Sequence, residues 1–391
     1  MIFFARSYVA DFDARLGKYF DALTAAGLSY HFIGWNKDGS VRAQDDRHTL
    51  FSIRARLGGG WRNALALVRW NVFLFCQLWR ARKNLRIVHA VDLDSAVASW
   101  MFCAIARKRL VFDIYDKYTA VRNISGVVGR ILDSLETRIA KSADLTLIVS
   151  EERYVQHGLP AGQANVLVLE NVPNACAHGR PMRKLSSPWM IGYFGVLEPR
   201  NRGLEDLLEV CAGRSDVELH VAGYGGLENM FAASGTEFSN IHFYGAMSSS
   251  AGLTLMASMD VVVGMYYLSV PNHLYASPNK YYEHLMLGRG MLTTVGTPPG
   301  AKVMDLDTGW AISEGSSAIA AWVEDLDQTR IGRAAGNARR IWCEKYSSYF
   351  FDKYRLCSRY VLISCRPRAE AMNSLGVTPF LNHSSSRCQA T

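Results

Sequence analysis

The sequence predicts an α/β protein in which two doubly wound, Rossmann-like parallel sheets face each other across a cleft. The chain has 391 residues, which is more than one hydrophobic core usually supports. Apolar runs of strand length alternate with amphipathic runs of helix length, as they do in parallel sheets covered by helices. This alternation occurs twice, before and after a polar stretch at residues 179–188. Two similar units therefore follow one another along the chain.

The first unit begins with a strand and ends with turn-forming residues at 171–174. Its apolar runs predict strands at 2–5, 30–35, 86–91, 110–114 and 145–149. Its amphipathic runs predict helices at 13–26, 61–83, 95–106 and 129–141. Gly27, directly after the first helix, is a typical C-terminal cap. We expect this N-terminal domain to span residues 1–178.

The second unit begins at Trp189 with the same alternation. Its predicted strands are 190–194, 217–222, 241–244, 261–265 and 291–295, with helices between them. A long helical stretch is predicted at 319–360. The tail, 366–391, contains Pro367, Pro379 and a run of serines, and this composition predicts disorder. We expect the second domain to span residues 189–340.

Composition excludes several classes of protein. An apolar content of 49% with 20% charged residues is typical of a soluble globular chain. The eight cysteines contain no C-x-x-C pair, which indicates reduced thiols and not a disulfide framework or a metal site. The N-terminal apolar run is too short for a signal sequence, and no run is long enough to span a bilayer. These features predict a cytoplasmic protein, which could at most lie on the inner face of the cytoplasmic membrane.

The positive charge of the chain is concentrated in one interval. Residues 47–91 contain nine Arg and Lys but no Asp or Glu, while the whole chain has a net charge of +8. Such a cluster indicates a surface that contacts an anionic partner. Within the predicted helix 61–83, Arg62, Arg69 and Arg80 fall on one face. They form either a solvated stripe on a core helix or a cationic, Trp-bearing face that rests on anionic lipid.

One segment predicts a binding site for a phosphorylated sugar. At 277–283, Ser-Pro-Asn-Lys-Tyr-Tyr-Glu, a proline-containing loop opens a helix between two predicted strands. Lys280 and Glu283 are one turn apart on the same helix face. A cation for phosphate oxygens and a carboxylate for sugar hydroxyls thus lie at a helix N-terminus, where anions bind well. The alternative is an ordinary crossover helix with a Lys–Glu surface pair.

Further segments of the second unit have glycine or a cation at the end of a predicted strand. Gly195 ends the first strand, and Arg202 follows just before a helix. The strand at 217–222 ends in a glycine turn, and the strand at 241–244 is followed by Gly-Ala-Met. A glycine at a strand end lets a ligand approach the backbone closely. These segments therefore extend the predicted site beyond the helix that carries Lys280.

The order and spacing of these segments resemble the donor-binding half of GT-B glycosyltransferases, a group that includes GT4-like enzymes of bacterial surface-polysaccharide biosynthesis. The resemblance covers about residues 1–355. It implies a C-terminal helix, expected at 341–365, that returns to the N-terminal domain. UDP-sugars are favoured as donors, with GDP-sugars as an alternative, and Glu283 is expected to contact the ribose. The donor-binding residues that it implies are Gly195, Arg202, Gly223, Gly225, Tyr244, Met247, Asn279, Lys280 and Glu283.

Two positions depart from this pattern. Val196 stands where the group often has a second cation after the strand-end glycine. Tyr275 stands eight residues before Glu283, where many retaining members have another glutamate. One phosphate contact must therefore be missing or come from elsewhere, and both the donor sugar and the stereochemistry of transfer stay open.

Carboxylate-rich strand ends in the first unit predict the acceptor side. Strand ends are where α/β clefts carry their chemistry, and the segments at 89–94 and 111–118 resemble segments of GT4-like polysaccharide enzymes. Asp116 also resembles the general base of inverting exopolysaccharide glucuronosyltransferases. It is the catalytic candidate, with a helix cap or a salt bridge as the alternative. The acceptor-side candidates are Arg15, His89, Asp92 and Tyr115, and a structural role is favoured for His89 and Asp92.

These resemblances imply an enzyme that moves a sugar from a nucleotide-diphosphate sugar to a lipid-linked glycan acceptor in exopolysaccharide, capsule or lipopolysaccharide synthesis. No cofactor and no metal are expected, because Arg202, Lys280 and helix dipoles can neutralise the leaving diphosphate. The expected partners are the donor, the acceptor and an anionic membrane, not nucleic acid. Two alternatives stay open: a nucleotide-sugar epimerase or hydrolase on the same fold, and a catalytically degenerate glycosyltransferase that acts as a scaffold.

Overall fold

The computed structural model describes residues 1–10, 13–37, 39, 46–55, 60–173, 187–349 and 353. Within these ranges it contains two parallel sheets with helices packed on them. The predicted α/β architecture with two doubly wound sheets is therefore confirmed. No helix in these ranges is both long and apolar enough to cross a bilayer.

Seven parallel strands form the N-terminal sheet in the described part of the chain. They are β1 (Ile2–Arg6), β2 (Tyr30–Trp35), β3 (His48–Phe51), β4 (Ile87–Val91), β5 (Arg109–Ile114), β6 (Leu145–Ile148) and β7 (Val166–Val168). Their order across the sheet is β3-β2-β1-β4-β5-β6-β7. The helices of this half are α1 (Ala14–Ala25), α2 (Gly60–Ala81), α3 (Asp92–Ala106), α4 (Tyr118–Val121), α5 (Gly126–Ser142) and α6 (Arg153–Gln156).

Six parallel strands form the C-terminal sheet in the same described ranges. They are β8 (Trp189–Leu197), β9 (Val217–Gly225), β10 (Ile241–Phe243), β11 (Val261–Val263), β12 (Gly290–Thr294) and β13 (Gly309–Ile312). Their order is β10-β9-β8-β11-β12-β13. The helices are α7 (Leu204–Cys211), α8 (Glu228–Glu237), α9 (Ser249–Met256), α10 (Asn279–Leu287), α11 (Pro298–Asp305), α12 (Ser316–Glu324) and α13 (Gln328–Ile341), with a 3₁₀ turn at Pro271–Tyr275.

Two helices near the interface of the halves begin and end at residues with clear local causes. α1 begins after Asp13, whose Oδ1 accepts hydrogen bonds from the backbone N–H groups of Arg15 and Leu16, both at 3.0 Å. α10 begins after Pro278, which has an extended backbone conformation. It ends at Gly288, whose left-handed φ of 62° is tolerated best by glycine.

Hydrophobic clusters and hydrogen bonds join the two halves. One cluster lies on the N-terminal sheet and includes Trp70, and a second fills the C-terminal half. A third cluster contains residues of both halves, among them Tyr19 and Tyr282. At the same junction, Asn171 Nδ2 donates a hydrogen bond to the carbonyl oxygen of Ser277 at 3.0 Å. These contacts set how the two sheets face each other.

The helical stretch predicted at 319–360 is not one continuous helix. Its described part forms α12 and α13, which are separated at Asp325–Asp327, and then a π-helical turn at Trp342–Tyr346. Asp327 accepts a hydrogen bond from the backbone N–H of Arg330 at 2.9 Å and so caps the start of α13. The two acidic residues between the helices thus cap the end of α12 and the start of α13.

The first residues of the expected returning helix contact the N-terminal half. Tyr349 Oη accepts a hydrogen bond from the backbone N–H of Glu170 at 2.9 Å. Residues 350–352 and 354–391 lie outside the described residues, and with them most of the 341–365 helix and the whole 366–391 tail. Both expectations stay predictions.

Three short strands of the structure, β3, β7 and β13, have no counterpart among the predicted strands. Each has three or four residues and lies at an edge of its sheet. A strand of this length covers only about two repeats of the side-chain alternation, so its pattern does not differ from that of a loop.

Candidate functional site

A cleft of about 880 Å³ separates the two halves at the carboxyl ends of their strands. This edge is where α/β folds place ligand sites. The N-terminal wall includes the end of β1 and the residues after β5, and the C-terminal wall includes the end of β8 and the residues after β11. The charged and aromatic residues of the wall are Arg6, Asp13, Arg15, Tyr115, Asp116, Arg153, Tyr193, Glu198, Arg202, Tyr266, His273 and Lys280.

The Lys280 ammonium lies against the end of β8. Its Nζ donates a hydrogen bond to the carbonyl oxygen of Phe194 and lies 4.4 Å from the centroid of the Tyr193 ring. A Cβ atom added at Gly195 would come within 2.5 Å of this Nζ, so glycine leaves the space that the ammonium occupies. Burial lowers the pKa of Lys280 to about 8, although the Glu283 carboxylate raises it. The first turn of α10 thus holds a cation on the cleft wall.

Glu283 lies one helical turn after Lys280 but borders a different space. It lines a small cavity together with Lys280, Phe194 and His284, and it is not part of the wall of the main cleft. Burial raises the pKa of Glu283, while the ammonium groups of Lys280 and Lys18 lower it. The structure therefore brings Lys280 and Glu283 together, but only Lys280 faces the cleft.

Arg202 is the second cation on the C-terminal wall. Its Nε lies 3.0 Å from Glu198 Oε2, and its guanidinium carbon lies 4.7 Å from the centroid of the Tyr266 ring. The carboxylate and the ring hold the guanidinium in place, and it stays partly exposed. Arg202, Asn279 and Lys280 thus line one side of the cleft, where they can bind the oxygens of a diphosphate.

The glycine-rich ends of β8 and β9 touch each other. Gly195 and Gly223 are partners in the register of the two strands, and a Cβ atom added at Gly223 would overlap the carbonyl oxygen of Gly195. A Cβ atom at Gly225 would come within 2.6 Å of the carbonyl oxygen of Leu197. The positive φ angles, 147° at Gly223 and 145° at Gly225, also favour glycine. These glycines shape the strand end on which Lys280 rests and do not line the cleft.

Replacing Gly223 by alanine is expected to destabilise the protein. The added Cβ must displace backbone atoms and adopt a strained φ, so we expect the free energy of unfolding to fall by about 2 kcal/mol or more, measured by urea unfolding. The control is Gly17→Ala in α1, where no atom lies within 4 Å of the added Cβ and alanine is expected to be neutral or stabilising. Equal stability of the two variants would contradict the described contact.

Two predicted donor residues lie outside the cleft wall. The Tyr244 hydroxyl is 2.9 Å from His220 Nδ1, and its side chain is exposed just after β10. Met247 lies in the loop between β10 and α9. Neither residue lines the cleft. Their assignment to the donor site therefore stays a prediction from the resemblance alone.

One group of side chains in the described ranges could hold a metal ion. Glu218, His220 and His242 bring three ligand atoms within 4.8 Å of one another. They lie on β9 and β10, and none of them lines the cleft. The cations of the cleft wall, not this group, are therefore the structure's candidates for binding a diphosphate.

Asp116 lies on the N-terminal wall and contacts both halves. Its Oδ1 accepts hydrogen bonds from Arg153 Nη2 at 2.9 Å and from Asn272 Nδ2 at 3.0 Å. The Arg153 side chain is almost fully buried, whereas that of Asp116 is 49% exposed. The carboxylate is thus oriented by two donors and still accessible from the cleft. This arrangement suits a base, and it is also the salt bridge that the sequence analysis leaves open.

Asp92 and Tyr115 lie near Asp116 on the same side. Asp92, at the start of α3, has a left-handed φ of 56°, and its Oδ1 accepts a hydrogen bond from the Tyr115 backbone N–H at 3.0 Å. Burial raises the pKa of Asp92 to about 7, although the Arg6 cation lowers it. The guanidinium carbons of Arg6 and Arg15 lie 4.2 and 5.2 Å from the centroid of the Tyr115 ring. Tyr115 lines the cleft and Asp92 does not.

His89 lies under the cleft. It is 0% exposed, its Nε2 is 3.2 Å from Asp113 Oδ2, and its ring stacks on Phe4. Asp113 also accepts hydrogen bonds from Tyr19 Oη at 2.6 Å and from Arg15 Nη2 at 3.1 Å. Burial raises the pKa of Asp113, but the Arg15 cation and these hydrogen bonds hold it at about 2. His89 therefore has a structural role beneath the cleft, where it contacts Asp113, whereas Arg15 lines the cleft wall.

Other polar residues of the wall are not among the candidates that the sequence predicts. Arg6 ends β1, and its Nη1 lies 2.7 Å from Asp13 Oδ2. Arg6 has a signal in the sequence, because it follows the first predicted strand and strand ends meet at one edge. Arg153 and Asn272, which hold Asp116, are 119 residues apart. Their contact depends on how the halves meet, and no local pattern indicates it.

The chain is similar to known proteins in fold. Comparison with protein-family models and with curated protein sequences finds no match. Sucrose-phosphate synthase from Thermosynechococcus elongatus has 13% identity, with 93% of this chain and 99% of that chain covered and a TM-score of 0.69. HepE from Anabaena, solved in complex with UDP, has 16% identity, 93% and 99% coverage and a TM-score of 0.65. A protein described as a UDP-N-acetylglucosamine 2-epimerase from Listeria monocytogenes has 12% identity, 94% and 98% coverage and a TM-score of 0.60.

Proposed function

We propose that this chain, which has the GT-B fold, is a glycosyltransferase that moves a sugar from a nucleotide-diphosphate sugar to a lipid-linked glycan in cell-surface polysaccharide synthesis. One observation carries the proposal: Arg202 and Lys280 line the C-terminal wall of the cleft, and the Asp116 carboxylate lines the N-terminal wall. Direct displacement of the diphosphate by an acceptor hydroxyl uses both, because negative charge develops on the leaving diphosphate while the attacking hydroxyl loses a proton.

The two cations and the N-terminus of α10 support the donor assignment. Arg202 and Lys280 are fixed before a ligand arrives, so little reorganisation is needed when a diphosphate binds. Asn279 begins α10 and also lines the cleft, where the helix end favours an anion. HepE, which shares the fold, was solved with UDP and with UDP-glucose. We therefore favour a UDP-sugar as the donor.

The chemical step that we propose is direct displacement at the anomeric carbon. The acceptor hydroxyl gives its proton to the Asp116 carboxylate as its oxygen forms the new bond to the sugar. The bond between the sugar and the diphosphate breaks, and the electron pair leaves with the diphosphate, where Arg202 and Lys280 stabilise it. Arg153 and Asn272 hold the Asp116 carboxylate in position during this step.

A nucleotide-sugar epimerase or hydrolase is the second candidate, because a protein described as an epimerase shares the fold. The test is release of the nucleoside diphosphate from UDP-glucose, UDP-galactose and UDP-N-acetylglucosamine, with and without a lipid extract that contains glycan acceptors. We expect release that depends on the extract. Equal release without acceptor would favour a hydrolase, and a change of the sugar without release would favour an epimerase. Donor binding with no turnover would favour a scaffold.

Donor affinity is expected to fall as the pH rises through about 8. Lys280 is a cation below its pKa of about 8 and neutral above it. If the diphosphate binds only the protonated form of Lys280, the Kd of the donor rises about tenfold for each pH unit well above the pKa. The reason is that neutral Lys280 must first take up a proton. Calorimetric titration with UDP across this range measures the effect. The Lys280→Arg variant, which stays charged, should flatten the dependence, and a flat wild-type profile would count against this contact.

We further propose that α2 contacts an anionic membrane surface through Arg62, Arg69 and Arg80. All three side chains are exposed on α2. Of the nearby tryptophans, Trp79 is 39% exposed, but Trp70 is fully buried in the core, so Trp70 is not part of the expected Trp-bearing face. Lys and Arg near an anionic leaflet each contribute about 1 kcal/mol to binding.

The chain is expected to sediment with vesicles of anionic lipid at low salt and to be released at high salt, because exposed charges are screened beyond about 8–10 Å near physiological ionic strength. Replacing Arg62, Arg69 and Arg80 by Gln should lower this binding and leave UDP affinity unchanged. The matched control replaces three exposed arginines of α13 by Gln: Arg330, Arg333 and Arg340. Equal loss in both triple variants, or equal binding to neutral vesicles, would contradict the assignment.

A further inference from the structure

The N-terminal half exposes many apolar side chains on the outer surface of α2, α3 and α5, which we call the outer helical face. Large apolar side chains there are between 39% and 63% exposed. Soluble proteins seldom expose contiguous apolar surface without a partner for it. The residues are Leu65, Val68, Val72 and Trp79 of α2, Met101 and Ile105 of α3, and Val127, Val128 and Ile131 of α5.

A cavity of about 450 Å³ opens on this face between α2 and α3. Its volume is within the range of small-molecule sites. Apolar side chains form most of its wall, including Val68, Val72, Phe75, Val97, Met101 and Leu132. The cavity therefore continues the exposed apolar surface into the interior of the helical layer.

The polar side chains of the cavity wall are already paired with protein groups. Asn71 Nδ2 donates a hydrogen bond to the carbonyl oxygen of Asp94 at 3.0 Å, and its Oδ1 accepts one from the Ala98 backbone N–H at 3.2 Å. The Asp94 carboxylate accepts hydrogen bonds from Ser7 Oγ at 2.7 Å and from the Arg122 guanidinium. With these groups occupied, the wall offers an entering ligand mainly hydrocarbon. An apolar chain fits this chemistry better than a sugar or a nucleotide.

The single helical turn α4 stands between this cavity and the cleft. Tyr118, at its start, lines the cavity, while Ala120 and Val121, at its end, line the cleft. Arg122 follows, with its guanidinium carbon 3.9 Å from the centroid of the Tyr118 ring and its side chain 37% exposed. An amphiphile with its chain in the cavity can thus place an anionic headgroup beside Arg122 and the attached group in the cleft, near Asp116.

We propose that the cavity between α2 and α3 binds the hydrocarbon chain of a membrane-anchored acceptor that carries an anionic headgroup. The exposed cations of α2, Arg62, Arg69 and Arg80, match in charge the anionic membrane in which such an acceptor is anchored. This inference rests on the proposed function, because it assigns a binding site to the lipid of the proposed acceptor. The hydrocarbon chain of the acceptor stays outside the cleft. Its headgroup passes over α4, which lies between the cavity and the cleft.

Dodecyl phosphate, used below its micelle-forming concentration, is the probe, with butyl phosphate and dodecyltrimethylammonium as the comparison ligands. Each is titrated into the full chain by calorimetry. We expect one dodecyl phosphate to bind, at least about tenfold more tightly than either comparison ligand, because both the chain and the negative charge contribute. Equal affinity for dodecyl and butyl phosphate would overturn the proposal, since the chain would then contribute nothing.

Two matched variants locate the site. Val72→Asp places a charge at the cavity wall, and Val127→Asp places one on the same outer helical face away from the cavity; both positions are exposed, so folding should tolerate the change. We expect Val72→Asp to weaken dodecyl phosphate binding about tenfold or more and Val127→Asp less than about twofold. An equal loss of dodecyl phosphate affinity in both variants would overturn the assignment of the site to the cavity and indicate adsorption to the whole outer helical face.

Two further measurements test whether a second copy of the protein covers the outer helical face and whether the UDP site is intact. Sedimentation should find a monomer, and a dimer that Val72→Asp dissociates would overturn the proposal, because a second copy would then cover the face. UDP titration of Val72→Asp should match the wild type. If UDP does not bind the wild type, the proposed glycosyltransferase function is wrong. If UDP binds but dodecyl phosphate binds no more tightly than butyl phosphate, only this inference is overturned.

Discussion

Replacing Lys280 by alanine is expected to weaken UDP-sugar binding about ten- to a hundredfold, because a charge-assisted hydrogen bond contributes about 1.5–3 kcal/mol. The ammonium rests on the Phe194 carbonyl oxygen at the cleft wall, and its space depends on Gly195 having no side chain. Calorimetric titration measures the change in Kd. The fold should persist, since the side chain rests on the end of β8 and the Glu283 carboxylate that it faces keeps the Lys18 ammonium as a second cation.

The control for this experiment is Lys345→Ala, which removes a cation from an exposed position that does not line the cleft. It should leave the donor Kd unchanged. Glu283→Ala should also weaken donor binding if Glu283 contacts the ribose, although Glu283 borders the small cavity next to the cleft. Unchanged donor affinity in both Lys280→Ala and Glu283→Ala would show that this helix does not bind the donor.

Replacing Asp116 by asparagine is expected to lower kcat about 100- to 10,000-fold while leaving the donor Kd unchanged, because general-base catalysis contributes about that factor. Asparagine keeps an oxygen that can accept the hydrogen bonds from Arg153 and Asn272, so the junction between the halves should hold. The variant therefore separates proton transfer from positioning. Initial rates of nucleoside diphosphate release with acceptor present measure it.

Asp92→Asn is the comparison variant for the catalytic step. Asp92 lies near Asp116, and burial raises its pKa to about 7, which is a suitable value for a base at neutral pH. It does not line the cleft, so we expect its replacement to lower kcat less than that of Asp116. Near wild-type turnover in Asp116→Asn would place the base elsewhere, or would indicate a retaining enzyme that does not use it.

The sequence predicts the fold because both sheets are built from buried parallel strands. Such strands give continuous apolar runs, and the predicted bounds of the central ones, β1, β4 and β8, lie within a few residues of those in the structure. The short edge strands β3, β7 and β13 have too few residues for a pattern. The sequence does not indicate the end of α12, because Asp325–Asp327 is compatible with a helical stretch and only the structure shows that Asp327 caps α13.

The sequence predicts members of the candidate site where a local pattern marks them, but it does not show which of them contact each other. The spacing of Lys280 and Glu283 within one helix turn is visible in the sequence, and the structure brings them together. The contacts of Asp116 with Arg153 and Asn272 join separate elements, so they depend on the packing of the two halves. Burial is equally hidden, since His89 and Asp92 both follow the strand-end pattern, yet neither reaches the cleft wall.

The most direct test of a diphosphate site in the cleft is the thermal stability of the wild-type chain with UDP-glucose, UDP and uridine. A ligand that binds the folded state alone stabilises it by RT ln(1 + [L]/Kd), about 2.7 kcal/mol at a hundredfold excess over Kd. If Arg202 and Lys280 bind the diphosphate, UDP-glucose and UDP should raise the melting temperature, uridine should not, and Lys280→Ala should lose the shift. No shift with any nucleotide sugar, or the same shift with uridine as with UDP, would contradict a diphosphate site in this cleft.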